Sequence, residues 1–453
     1  MFIGINMGMI CSMMGSASIL ALFAGGVVGL WFDPNDRSTL FQDVNATQPI
    51  TAPGQAVALM RDKSGRGKHA TQATAAQRPT YGVIPYGGVR NFAAGSGDVG
   101  NATYWPASLT VNGVVYTKVG SGTDTDGLPY VDISVAGTAS STAFFDMYAF
   151  ANARISAGIG QTYTTSCLAK LIAGATPPVG CGVVVGVVGE TAPATITENT
   201  ASTAIAPSVE TQASLTFTFV NAATNQARSS AYIRTGAGLT ANYTIRVKAL
   251  QFEKGSVRTA FQLSMSKYNT TEAGKATVGA LFADGIDDGM VTPSIDFSGT
   301  DKMTVWAGLQ KLGNSQGILA ELSPTNSSPG MFNLQSPGPG SVSYRFASGG
   351  SFPIAGIADA SGYASPSVNT LTGIAEISTD KAILQVNNVQ VSSGSSDQGT
   401  GNYGNYPIYL FRRGGSTLPF NGIFTGLIVR GAQSSAAQIS NGNTYINSTL
   451  GAY

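Results

Sequence analysis

The only histidine of the chain, His69, lies in "DKSGRGKHATQ" beside Gly65, Arg66, Gly67 and Lys68. Glycine-spaced cations can cradle a phosphate, and an imidazole can move protons near neutral pH. A P-loop, however, needs four residues between its glycines and a Ser or Thr after its lysine. Here His69 follows Lys68. No acid–base partner is placed to orient the imidazole. The stretch reads as a glycine turn feeding a strand, with "RPTYG" (78–82) leading out of it. Two other patterns have the letters of a hydrolase. "GNSQG" (313–317) fits G-x-S-x-G, but that elbow needs a strand-to-helix turn with Asp and His following in the chain, and His69 lies far upstream. Glycoside hydrolysis needs two opposed carboxyl groups. Among the seven glutamates the nearest approach to such a pair is Glu376 with Asp380, roughly 13 Å apart if both lie on one strand.

Binding chemistry has better candidates. Asp124 and Asp126 in "DTDG", and Asp284, Asp287 and Asp288 in "DGIDD", place hard oxygen donors at tight turns. That is what calcium prefers, and also what aspartates do when they cap turns through their own backbone. Sugar binding calls for exposed aromatic faces with polar groups beside them. Tyr104 and Trp105 offer one such group. Tyr403, Tyr406 and Tyr409 in "GNYGNYPIYLFRR", with Arg412 following, offer another. Trp105 and Trp306 equally suit the core of a sandwich.

These residues must be carried by strands. "TVWAGLQ" (304–310) alternates Val305, Ala307 and Leu309 on one face. "AILQVNNVQV" (382–391) reads as a hairpin turning at Asn387-Asn388, with Val386 opposite Val389 and Leu384 opposite Val391. "LTVNGVVY" (109–116) reads as another, turning at Asn112-Gly113. Many short strands separated by Gly, Asn, Ser and Pro give an all-β chain of sandwiches. One short C-terminal helix is expected after Ser434-Ser435, with Ile439, Ile446 and Leu450 on its apolar side.

Composition narrows the partners. Lys and Arg number 25 against 24 Asp and Glu, a net charge of +1, which argues against nucleic acid. Only 11% of residues are charged, where about a quarter is usual. Such a surface suits packing into a larger assembly, or contact with sugars. Residues 1–30 carry no charge, so they lack the positive start of a secretory signal. Three readings of them stay open: an anchor in a larger assembly, a membrane helix interrupted by Gly and Ser, or a disordered tail. Cys11, Cys167 and Cys181 are odd in number. Cys167 and Cys181 either pair across strands or serve as reduced structural residues.

The chain begins one domain, interrupts it and returns. "WFDPNDRSTLFQD", the His69 stretch, "LFADGIDDGMVTPSIDFSGTDKMTVWAGLQK" and "LPFNGIFTGLIVRGAQSSAAQISNGNTYIN" together resemble the concanavalin A-like (laminin-G-like) sandwiches of tailed-bacteriophage structural proteins. "YWPASLTVNG" and "ALQFEKGSVRTAFQ" resemble the first and last strands of the jelly-roll, carbohydrate-binding-module-like insert of the same proteins. One departure from the pattern, Ala283 within "LFADGIDD", points to a strand bulge. The resemblance implies an apolar attachment segment (1–30), a discontinuous concanavalin A-like sandwich (31–89 with 268–453) and an inserted jelly roll (90–267). It further implies a non-enzymatic virion protein of tail-fibre or receptor-binding type, trimeric, tethered to other virion proteins through residues 1–30. Lectin-like loops would meet host-surface polysaccharide, with structural calcium as the one ligand that both sandwich types often hold. A head or tail decoration protein that only packs on its neighbours is the alternative, and a polysaccharide depolymerase is a third reading.

Overall fold

The computed structural model describes residues 18–148, 154–325, 327–338, 343–352 and 355–453. Strands dominate them, and the chain divides into two units: residues up to Gly88 with Thr277–Tyr453, and Val89–Ala276 between.

In the discontinuous unit one sheet runs Thr80–Pro85, Thr277–Asp284, Asn421–Arg430, Lys302–Lys311, Ser367–Glu376, Lys381–Val386, Val389–Gly394. Gly29–Phe32 also pairs with Asn421–Arg430. A second sheet carries nine strands, with Ile408–Leu410, Ile318–Leu322, Met331–Gln335 and Tyr344–Gly349 adjacent in that order. Alternation places Val305, Leu309, Leu371 and Leu384 of the first sheet against Leu322, Leu334 and Phe346 of the second in one buried core. Packing is close enough that a Cβ on Gly373 would sit 2.3 Å from the Phe346 ring.

The outer face of the first sheet is covered by the C-terminal helix Ala436–Ser448, which opens with a capping box between Ser435 and Gln438. Gly442 lets that helix lie directly on Trp306, where any side chain would collide with the indole. Ile446 is buried there with Trp31, Trp306 and Ile428, while Ile439 packs at the edge. Ile19, Leu22 and Phe23 join the same cluster, and Arg430 Nε donates to the Leu22 carbonyl at 2.9 Å. Ile19, Leu22 and Phe23 of the apolar N-terminal segment are thus part of the chain's own core, while Leu20 is 47% exposed. Residues 1–17, with Cys11, lie outside the described residues. Among the described residues no helix is long and apolar enough to cross a membrane.

The inserted unit is a two-sheet sandwich. Six strands, Thr211–Thr218, Thr162–Gly174, Thr240–Lys254, Pro129–Thr138, Val114–Thr123 and Ser108–Val111, form one sheet. The other orders Ile155–Ser156, Gln226–Thr235, Gly182–Thr191 and Thr195–Ala201, with Ala143–Asp146 also on Gln226–Thr235. The sheets meet through Tyr116, stacked on Phe145 at 5.4 Å and hydrogen-bonded to Thr235 at 2.9 Å. Cys167 and Cys181 are free and buried, and burial pushes the Cys167 thiol up to about 12.

The Asn112-Gly113 turn has the two positive φ angles of a type I′ hairpin, 50° and 81°. Asn387-Asn388 does likewise at 51° and 63°, with Val386 opposite Val389. A register shift just beyond sets Leu384 opposite Ser392 rather than Val391. No bulge occurs at Ala283: Leu281 to Asp284 pair in unbroken register with Phe424 to Asn421.

Candidate functional site

The His69 loop is organised by Asp62. Its carboxylate accepts from the Trp31 and Ser64 N–H groups (2.9 and 2.8 Å), the Ser64 hydroxyl (2.8 Å) and the Lys68 N–H (3.0 Å). His69 Nδ1 accepts the Asp62 N–H at 3.0 Å, so the imidazole closes the turn rather than facing a substrate. "GNSQG" joins two strands, Lys302–Lys311 and Ile318–Leu322, and is no strand-to-helix elbow. Glu376 is paired with Lys302 at 3.0 Å, and Asp380 accepts the Gln398 N–H at 2.8 Å. Each carboxylate thus serves its own local contact.

Asp124 and Asp126 do face a cation, but it is an amino group. Lys248, 5% exposed, lies 3.1 Å from Asp124, 2.5 Å from Asp126 and 2.6 Å from Glu210. The Thr125 N–H and the Lys248 ammonium hold Asp124 down to about 2. Burial pulls the Lys248 ammonium down, and its carboxylates outweigh that and raise it. The ammonium occupies the place a calcium would need, which corrects the expectation for this pair. Asp284, Asp287 and Asp288 bring carboxylate oxygens within 4.8 Å of one another. Their donor type suits a hard cation. Yet Asp284 already accepts the Ile286 and Asp287 N–H groups, Asp288 accepts the Asp284 N–H, and Arg412 Nη1 reaches the Asp287 carbonyl at 2.6 Å.

Most of the aromatic candidates turn inward. Tyr403, 1% exposed, donates to or accepts from Ser348 at 2.6 Å inside the core, and Tyr406 packs against the same core. Arg412 is buried on the Asp287 carbonyl. Trp105 is buried edge-on to Tyr148, on which Tyr104 stacks at 6.4 Å. These are corrections for Tyr403, Arg412 and Trp105. Gly-rich flanks promise exposure, but Tyr403 reaches a hydroxyl 55 residues away. Tyr409 remains half-buried, opposite Glu321 in register.

The strongest candidate for a binding face is on the five-stranded sheet of the inserted unit. There Tyr232 pairs with Asp146 on one side and Val184 on the other. Arg234 pairs with Phe144, Ser230 with Gly186, Arg228 with Val188, and Gln226 with Glu190. Directly opposed residues share a face, so these form successive rows on the side away from the second sheet. Phe144 is 48% exposed and stands edge-on to Tyr232 at 5.3 Å. Arg234 Nε and Gln226 Oε1 are shielded from solvent and have no hydrogen-bond partner among the described residues. At the far end Glu190, 1% exposed, is clamped by Arg154 at 2.6 Å and Arg228 at 2.7 Å. Burial pulls the Glu190 carboxyl up, and the two guanidiniums outweigh it, leaving it below the ordinary range. Desolvation raises the Asp146 carboxyl against the attraction of Arg228. The face therefore presents aromatic surface and a braced ionic end, with an unpartnered donor and acceptor shielded beneath it at opposite ends. "AFFDM" and "QARSSAYIRT" carry the alternation that would have found it.

No family profile matches the chain, and no curated protein matches its sequence. Several solved structures resemble parts of it. Domain 4 of AbnA, a GH43 extracellular arabinanase from Geobacillus stearothermophilus, is 12% identical over 42% of this chain and 83% of its own, with a TM-score of 0.29. The CBM40 of the Ruminococcus gnavus IT-sialidase is 16% identical over 33% and 84%, at 0.26. Domains LG4-5 of the mouse laminin alpha1 chain are 12% identical over 66% and 92%, at 0.25.

Proposed function

We propose that the chain is a non-catalytic glycan-binding protein whose reading face is the five-stranded sheet of the inserted unit. The exposed Phe144 ring set edge-on to Tyr232, with Arg234 Nε left without a partner beside it, carries this reading. Aromatic faces accept the C–H side of a sugar ring, while a guanidinium answers its hydroxyls. The occupied carboxylates of Glu376 and Asp380 agree with a role that involves no hydrolysis. The sequence resemblance to tailed-phage sandwiches extends the proposal: a particle-borne, tail-fibre or receptor-binding protein meeting host-surface polysaccharide, with several copies turning weak contacts into firm attachment.

One observation favours packing on neighbouring proteins instead. Ile159, Val179, Val220 and Val257 of the inserted unit are all more than 60% exposed. A glycan array with the whole chain separates the two. Binding that falls roughly three- to tenfold in Phe144→Ala and again in Tyr232→Ala supports the glycan reading. No binding to any host polysaccharide, or binding indifferent to both substitutions, refutes it.

A further inference from the structure

The outer face of the first sheet in the discontinuous unit is only partly roofed. Its rows run Lys302–Glu376–Lys381, then Thr304–Ile374–Ile383, then Trp306–Thr372–Gln385. The C-terminal helix begins at Ala436 and lies over the third row, where Trp306 Nε1 donates to the Ile439 carbonyl at 3.2 Å. The first two rows stay open ahead of the helix as a groove of about 200 Å³.

Its chemistry is mixed and specific. Ile374, Ile383 and Ile439 give it an aliphatic floor, and no aromatic ring lines it. At one end the Lys302–Glu376 pair offers a donor and an acceptor 3.0 Å apart, with Lys381 beside it making no ion pair among the described residues. At the other end lie Gln385, Gln433 and Ser434. Gln385 spends its Oε1 on Asn443 at 3.1 Å, which leaves its Nε2 donor. Ser434 is fixed by Thr304 at 2.9 Å and Arg430 at 3.2 Å. The side-chain amide of Gln433 has no partner among the described residues and is exposed.

We propose that this groove is a second ligand site, taking a single N-acetylated amino sugar. A ligand that fits must bring a small aliphatic group for the isoleucines, since there is no flat aromatic surface for a bare pyranose to stack upon. It must also bring an amide for the two glutamines and hydroxyls for the charged end. An acetamido sugar supplies the methyl, the N–H and C=O, and the hydroxyls in one unit of suitable size. The site is independent of the face proposed for the inserted unit.

Saturation-transfer NMR with N-acetylglucosamine as probe and glucose as control tests this on the whole chain. The acetyl methyl is expected to receive the strongest saturation, with glucose at least fivefold weaker. Ile383→Trp, which fills the floor, is expected to reduce the methyl signal at least fivefold. The paired change Lys381→Ala with Gln433→Ala, at two exposed positions, covers the case in which the tryptophan disturbs folding, and is expected to weaken it at least threefold. Phe144→Ala with Tyr232→Ala is expected to leave the methyl signal unchanged. Equal signals from both sugars, a signal that survives the paired change, or one that vanishes with Phe144 and Tyr232 would each overturn the assignment.

Discussion

Glu321 is wholly buried on the strand Ile318–Leu322, between Tyr409 and Asn333 in register, with Arg413 Nε 3.0 Å from its carboxylate. Burial pushes its carboxyl from an ordinary 4.5 up to about 7, against the pull of Arg413. The folded state therefore holds this proton more tightly than the unfolded chain does. Below about pH 4.5 both states are protonated and the group favours neither. As pH rises toward 7 the unfolded chain releases its proton freely while the folded chain resists. Folding stability consequently falls across that window, by about 3 kcal/mol in all at about 1.4 kcal/mol per tenfold change in proton affinity.

Glu321→Gln keeps the shape and one acceptor for Arg413 but cannot ionise. The measurement is guanidinium unfolding from pH 4 to pH 8, followed by Trp31 and Trp306 of the discontinuous unit in a Trp105→Phe background. The stability of the Glu321 protein relative to the Gln variant should decline by about 3 kcal/mol between the two ends, mostly between pH 4.5 and 7. Carboxylates elsewhere titrate in both proteins and cancel in the difference. Parallel curves would refute the reasoning, and a difference that grows in the opposite direction would mean that Arg413 dominates burial.

Lys248→Met leaves three carboxylates facing one another, and because two of them are well exposed the expected loss is about 1–3 kcal/mol in the inserted unit. Thermal unfolding of the two proteins checks it, and added calcium should not shift the melting of the parent protein through this site. Phe23→Ala opens a cavity beneath the C-terminal helix and should destabilise the discontinuous unit by about 3 kcal/mol, read by denaturant unfolding. Gly373→Val drives a side chain into the Phe346 ring, and a loss of about 2 kcal/mol or more is expected in the same assay.

Local chemistry was legible in the sequence, and distant chemistry was not. Asn112-Gly113 and Asn387-Asn388 announced their turns because positive φ angles are a property of the residues themselves. The one-residue slip beyond Val386 depends on how Ser392 meets Leu384, and no local pattern fixes that. Asp124 and Asp126 looked like cation ligands because they are, and nothing near them named Lys248, more than 120 residues on, as the cation. The face proposed to bind on the inserted unit draws Phe144, Glu190 and Tyr232 from three strands. Each strand shows its alternation alone, while the juxtaposition belongs to the pairing register.

The low charge content acquires a physical meaning from these placements. The cations with a clear role are spent on the chain's own carboxylates: Lys248 on three of them, Arg228 on Glu190, Arg413 on Glu321, Lys302 on Glu376. Charges used in this way steer no partner from a distance, because each is neutralised within a few ångströms. What the sheets then present outward is hydroxyl, amide and small apolar surface, such as the Thr162–Thr218 and Thr138–Thr240 hydroxyl pairs. On such a background Arg234 shares an unpartnered, shielded nitrogen with Arg258, Arg412 and Arg413, and differs from them in standing beside the Phe144 and Tyr232 rings. An unpaired donor held at a shielded position costs about 1–3 kcal/mol unless something outside the chain answers it. In the glycan-binding proposal that something is a ligand with both an apolar face, for Phe144 and Tyr232, and hydrogen-bonding oxygens; an ordered water is the other candidate. If Arg234→Met stabilises the free protein while removing glycan binding, the donor was retained for the ligand, whereas a variant that still binds makes it a structural residue.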